Sequence, residues 1–132
     1  MSSKIEVTKL TNSGDARGYS FTLPADALAF LGRVADIHLS SMVPGSIRGN
    51  HYHLRRREAI LVSSDSPWSW HWDEGDSTPP QHRDFAAGAL WMILVSPGAS
   101  HAIRNDGAEM IRLVALSSEP YDPDESVTRK VV

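Results

Sequence analysis

Gly45-Ser46-Ile47-Arg48-Gly49-Asn50-His51-Tyr52-His53-Leu54-Arg55-Arg56-Arg57-Glu58 is the stretch that decides how this chain reads. Pro44-Gly45 marks a turn before it, and Ile47–His53 reads as a strand. Side chains two apart on a strand leave the same face, so His51 and His53 stand side by side. Glu58 follows across a tight turn, at the start of a second strand over 57–63 that carries Ala59-Ile60-Leu61-Val62. Two imidazoles and one carboxylate are a minimal ligand set for a divalent first-row metal with open positions. His101 lies beyond the turn Ser96-Pro97-Gly98-Ala99-Ser100, which brings a third imidazole from another part of the sheet.

Outward from this stretch, 8 Pro and 9 Gly cut the chain into short pieces that read mostly as strands. Residues 5–10 are a first strand, 19–23 a second, the Ala-rich 24–31 one helical turn, and 34–40 a further strand. After Pro67 the alternation is clean: Trp68, Trp70 and Trp72 on one face, Ser69, His71 and Asp73 on the other. That is the period of a strand with one buried face. The Trp face reads as core or as a dimer interface. Residues 73–81 form a polar loop, 90–95 and 110–116 are apolar on both faces, and 127–132 form a terminal strand. Roughly ten strands spaced about 8–12 residues apart predict an all-β barrel or sandwich with low helix content. The expectation is a single domain over 1–132 whose interior or mouth takes a small ligand.

Composition narrows the function. The chain has 132 residues, 41% hydrophobic and 22% charged, which suits one packed core. It has no Cys, so disulfide scaffolds, thiolate metal sites and cysteine nucleophiles are excluded. A net charge of -3 gives no overall nucleic-acid-binding surface. No apolar run reaches the roughly 18 residues of a membrane helix, and the polar 1–9 segment does not read as a signal peptide. The expected location is cytoplasmic.

Two motifs carry a family resemblance. Gly45-x5-His51-x-His53-x4-Glu58 resembles the first cupin motif, and Pro97-Gly98-x-x-His101-x3-Asn105 resembles the second. The resemblance implies a cupin double-stranded β-helix, or jelly-roll barrel, with His51, His53, Glu58 and His101 as metal ligands. Arg-Gly-x-His-Tyr is similar to the branch that modifies nucleotide-linked sugars, which includes dTDP-4-dehydrorhamnose 3,5-epimerases and dTDP-sugar 3,4-ketoisomerases. The string Arg48-Gly49-Asn50-His51-Tyr52-His53 most resembles the C-terminal cupin domain of capsular-polysaccharide UDP-sugar epimerase/reductases. Asp15-Ala16-Arg17-Gly18 and Glu119-Pro120-Tyr121-Asp122-Pro123-Asp124 resemble flanking segments of these domains. The chain departs from the capsular type at Ala59, where a basic residue is usual, and it holds no Gly-rich dinucleotide loop of a reductase.

The branch implies an isomerase that epimerises or isomerises a nucleotide-linked keto-sugar in polysaccharide or secondary-metabolite biosynthesis, working as a homodimer. The chemistry removes a proton α to a carbonyl, stabilises the enolate and returns a proton. His51 is then the base, with Tyr121 the opposing acid if its loop folds over the mouth. Alternatively a metal polarises the carbonyl: zinc in the capsular type, with iron, manganese or nickel served by the same ligands. The two roles compete for His51, since a lone pair bound to metal takes no proton. Arg17 and Arg48 match the positions that hold the substrate pyrophosphate, with Asn50 as a further substrate contact. Arg48 lies one pleat from the His face. Arg55-Arg56-Arg57 reads as a solvated turn, and His38 as a cavity-lining or a satisfied core residue. Two other classes fit the motifs: a metal-dependent small-molecule dioxygenase and a non-catalytic ligand-binding cupin.

Overall fold

The short apolar runs pair into two five-stranded antiparallel sheets. The computed structural model describes residues 3–76 and 78–132; residue 77 of the expected 73–81 loop and residues 1 and 2 of the polar 1–9 segment lie outside these. Sheet I runs in the order β1 (Ile5–Lys9), β7 (Leu90–Val95), β4 (Glu58–Ser64), β9 (Ile111–Ser117) and β2 (Asp36–Met42). Sheet II runs β10 (Ser126–Thr128), β3 (Ile47–His53), β8 (His101–Asn105), β5 (Trp68–Trp72) and β6 (Gln81–Phe85). The architecture is the all-β one expected, with low helix content.

The core lies between the inner faces. Sheet I contributes Ile60, Val62, Ile93, Val95, Ile111 and Leu113, and sheet II contributes Trp68, Trp70, Phe85 and Ile103. Trp68 stacks on Phe85 with centroids 4.1 Å apart and planes at 10°. Trp68 and Trp70 are therefore core, and they leave no outward Trp face for a partner. Their neighbours Ser69 and His71 are buried too, against the expectation of one buried face. His71 stacks on His82 of β6, the adjacent strand, with ring centroids 5.5 Å apart.

Sheet I is apolar on both faces because its outer face is covered as well. Ala59, Leu90, Met92 and Leu94 pack under α1 (Ala25–Leu31), which buries Ala27 and Leu31. α1 makes about two turns, one more than its sequence suggested. It ends at Gly32, whose φ of 75° is open to glycine without strain and lets its N–H return to Leu28 O at 3.0 Å. Residues 19–23, expected as a strand, are a covering segment: Phe21 and Leu23 pack on this same cluster. The polar β6, which reads as loop in the sequence, is an edge strand. The terminal strand is the shorter β10.

Asn105, the last residue of the second motif, ties the far end of the barrel. Its Nδ2 donates to Met42 O and Glu109 O, and its Oδ1 accepts from Ser66 Oγ and Gly107 N. With its hydrogen-bonding capacity used in this way it is a structural residue.

Candidate functional site

A defect in β3 builds the site. The β3–β8 register pairs Arg48 with Ile103 and His51 with His101, so four residues on β3 match three on β8. The extra residue is a bulge at Gly49-Asn50, with φ of 110° and 58°. Only glycine fits the first position, because a Cβ at Gly49 would lie 2.5 Å from His101 O. In a regular strand Arg48 and His51 would face opposite sides. The bulge resets the alternation, so Arg48 and His51 line the same cavity. The sequence reading had Arg48 one pleat away from the His face.

That cavity, ≈ 640 Å³ with its open mouth, lies between the two sheets. Ile60, Leu113 and Ala115 of sheet I face Trp70 and Ile103 of sheet II across it. His38 and Ser40 of the edge strand β2 and Arg48 of β3 also line it. His38 is thus cavity-lining and exposed. His51, Glu58 and His101 add the polar wall, with His53 buried behind them.

The three imidazoles converge. One ring nitrogen from each of His51, His53 and His101 lies within 4.8 Å of the others. Glu58 Oε1 lies 2.9 Å from His53 Nε2 and 3.5 Å from His101 Nε2. His101 Nδ1 is 3.0 Å from Ala99 O, which only accepts, so Nδ1 carries the hydrogen. His53 Nδ1 lies 2.6 Å from Glu125 Oε1, and Glu125 Oε2 accepts from the backbone N–H of Arg55 and Arg56 at 2.9 and 2.8 Å. Glu125 is 1% exposed. Its role was not legible in the sequence, where it falls one residue beyond the 119–124 segment.

Charge balance follows from this geometry. Burial pushes the Glu58 carboxyl up, but the His101 and His53 imidazoles outweigh it and hold it well below the usual carboxylate range. Burial pushes His53 down, and Glu58 and Glu125 outweigh it and raise it. For His51 the balance reverses: burial, then His101 and His53, outweigh the pull of Glu58 and lower it to about 4. At neutral pH His51 is a neutral imidazole with a free lone pair. His53 Nε2 and Glu58 Oε1 are buried yet share no aligned hydrogen bond, despite their 2.9 Å separation. Converging lone pairs without aligned protons suit a small divalent cation. Two overlapping three-ligand sets are on offer: His51, His53 and His101, or His53, His101 and Glu58.

Other expected site residues stand apart. Asn50 spends its side chain on the chain end: Oδ1 accepts from Val131 N and Val132 N, and Nδ2 donates to Val132 O. Arg17 sits on an exposed turn and pairs with Asp15 at 2.7 Å. Tyr121 is 75% exposed and does not line the cavity. Arg48 lines the cavity and donates from Nε to Ser41 O, and its two terminal nitrogens make no hydrogen bond among the described residues. The Arg55-Arg56-Arg57 run is the solvated turn expected at Arg55 and Arg57, which are exposed, but not at Arg56. Arg55 pairs with Asp122, Arg56 is largely buried beside Glu125, and Arg57 reaches Leu31 O.

No protein-family profile matches the sequence, and no curated protein matches it. Solved structures do match the fold. A sugar 3,4-ketoisomerase, QdtA from Thermoanaerobacterium thermosaccharolyticum in complex with TDP, superposes with a TM-score of 0.73 at 14% identity, covering 96% of this chain and 89% of that one. ChmJ, a 3'-monoepimerase from Streptomyces bikiniensis in complex with dTDP-quinovose, gives 0.79 at 17% identity, covering 95% and 69%. The rmlC epimerase of Mycobacterium tuberculosis gives 0.76 at 21%, covering 95% and 68%. The fold is the cupin barrel that the motifs implied. No helix among the described residues is long and apolar enough to cross a membrane.

Proposed function

We propose that this chain is a metal-binding isomerase or epimerase of a nucleotide-linked keto-sugar. The observation that carries the reading is His51: a neutral imidazole with no side-chain hydrogen bond among the described residues, in a cavity with Arg48 and within a metal-type cluster. Proteins of the same fold are keto-sugar isomerases and epimerases bound to thymidine diphosphate ligands.

In this reading His53, His101 and Glu58 hold the metal, zinc first among the candidates. A bound metal would supply Lewis-acid polarisation of the substrate carbonyl. That division resolves the competition for His51. His53 and His101 each have Nδ1 held by an acceptor and Nε2 near Glu58, whereas His51 is left free to take the proton α to the carbonyl. The terminal nitrogens of Arg48 pair with the pyrophosphate. Ile60, Ile103 and Leu113 shed water from the sugar face. A second copy of the chain is the partner we assign to edge strand β2, whose Ile37 and Leu39 are 57% and 71% exposed.

The test is isotope exchange. In D2O, the protein with dTDP-4-keto-6-deoxyglucose incorporates deuterium at the carbon next to the keto group, read by NMR. Tight binding without exchange leaves a ligand-binding barrel instead. The set His53, His101 and Glu58 also favours a second reading, because two imidazoles and a carboxylate with open positions are the ligands of iron(II) oxygenases. Oxygen consumption by the iron-loaded protein, with no deuterium exchange, would select it.

A further inference from the structure

His53 can ligate a metal through Nε2 only if its other nitrogen keeps the hydrogen. We infer that Glu125, from the chain's C-terminal segment, is the positioning residue that fixes this tautomer and so makes His53 a ligand for a divalent cation. The inference rests on the metal-binding part of the reading above and adds a residue that lies outside both motifs.

The argument begins with hydrogen-bond direction. Glu125 Oε2 faces two backbone N–H groups, those of Arg55 and Arg56. Neither donor can become an acceptor, so the carboxylate cannot turn away. Two N–H donors on Oε2 and the Arg56 guanidinium near Oε1 favour the ionised carboxylate. An ionised carboxylate only accepts. Oε1, 2.6 Å from His53 Nδ1, therefore obliges Nδ1 to donate. The lone pair of neutral His53 is then on Nε2, beside Glu58 Oε1.

The backbone supports the same contact. Ser126, next to Glu125, is the register partner of His53 in the β10–β3 pair. Leu54 N donates to Glu125 O at 3.0 Å. Arg56 Nε lies 3.9 Å from Oε1 and adds positive charge. A residue 72 positions away in sequence is thus locked against the β3–β4 turn. Carboxylate partners of this kind orient a ligating imidazole and raise its basicity.

Glu125→Gln isolates the effect, because it keeps shape and hydrogen-bond number. The amide oxygen must face the two N–H groups of Arg55 and Arg56, so the amide nitrogen faces His53 Nδ1. Nδ1 then has to accept, the hydrogen moves to Nε2, and the lone pair leaves the cluster. Zinc affinity, measured on the full chain by competition with a chelator, should fall about 10–100-fold. The thermal midpoint of the metal-free variant should stay near that of the unsubstituted protein. A second measurement needs no variant: long-range ¹H–¹⁵N spectra of the zinc-loaded native protein should show His53 protonated at Nδ1 and metal-bound at Nε2.

The outcomes separate cleanly. A native protein that binds no zinc overturns the metal reading and this inference with it. A native protein that binds zinc, with Glu125→Gln binding equally well, overturns the role of Glu125 alone. Zinc on His53 Nδ1 in the native spectrum does the same, whatever the variant does. A weakened variant with native His53 bound through Nε2 supports the assignment.

Discussion

The space between the two sheets has a packed half and an open half, and the same strands build both. β8 turns Ile103 and His101 inward two residues apart, and β4 does the same with Ile60 and Glu58. Polarity therefore changes within roughly 7 Å, one repeat of the pleat. Trp70 stands at the boundary. It is fully buried in the core, and its ring stacks on His101 with centroids 5.4 Å apart. The contrast shows what the packed half contributes: Trp70 backs the His101 ring with an apolar stack, while polar partners, Ala99 O for His101 and Glu125 for His53, fix the ring nitrogens.

Removing a large side chain from the packed half tests that division most severely. Trp68→Ala deletes a buried indole and its stack on Phe85. The expected cost is about 3–5 kcal/mol of stability by chemical denaturation. A cost near zero would mean that the packed half is not the core.

In the open half the largest effect is on rate. His51→Asn should reduce turnover of the keto-sugar about 10²–10⁴-fold, as loss of a general base does. Its melting temperature should stay close to native, because His51 packs no core cluster and makes no side-chain hydrogen bond among the described residues. A variant that keeps its turnover would return His51 to a ligand role. Arg48→Ala should act differently. Loss of a charged hydrogen bond to phosphate is worth about 1.5–3 kcal/mol. That corresponds to roughly a 10–100-fold rise in KM, with kcat little changed.

His51 also leaves a mark on stability. In the folded, metal-free chain it gains its proton only near pH 4, while an unfolded histidine gains it near the ordinary 6.5. Between these values the unfolded state binds more protons, so stability falls as pH drops from about 6.5 to about 4. His51→Asn should flatten part of that slope in denaturation midpoints measured at pH 7 and pH 5. An unchanged slope would place the titrating group elsewhere.

What the sequence made legible follows physical range. Trp68–Trp72 and Leu90–Val95 stand where alternation and apolar run put them, because both patterns are local. β6 was missed because Gln81-His82-Arg83-Asp84 is an exposed edge with nothing apolar to alternate. Residues 19–23 misled for the opposite reason. Phe21 and Leu23 are apolar in order to cover sheet I, a need that a strand pattern shares.

The site divides in the same way. Spacing placed His51 and His53 on one face, turn signals added Glu58 and His101, and the resemblance named all four as ligands. All four meet in the structure. The bulge at Gly49-Asn50 was not legible, although it decides where Arg48 points, since Arg-Gly-Asn spells no bulge until β8 is alongside. Asn50 looked like a substrate contact and instead binds the backbone of 131–132. Glu125 carried no signal at all, because its partners lie 69 to 72 residues away.

Tyr121 gives the smallest expected effect and the sharpest test of the boundary between cavity and surface. The resemblance offered it as the acid opposite His51, on condition that its loop folds over the mouth. In the structure it is 75% exposed on the segment that leads to Glu125. That segment is pinned from both sides. Arg56 donates to Pro120 O, Arg55 pairs with Asp122, and Glu125 holds the Arg55 and Arg56 N–H groups. For the ring to reach His51, these contacts would have to break while Glu125 still held His53. Tyr121→Phe should therefore change kcat less than about twofold, far short of the 10²–10⁴ of a lost acid or base. A loss of tenfold or more, with KM unchanged, would show that the segment closes over bound substrate and that Tyr121 returns the proton. The same result would leave exposed His38, on the β2 side of the mouth, without a part in that step.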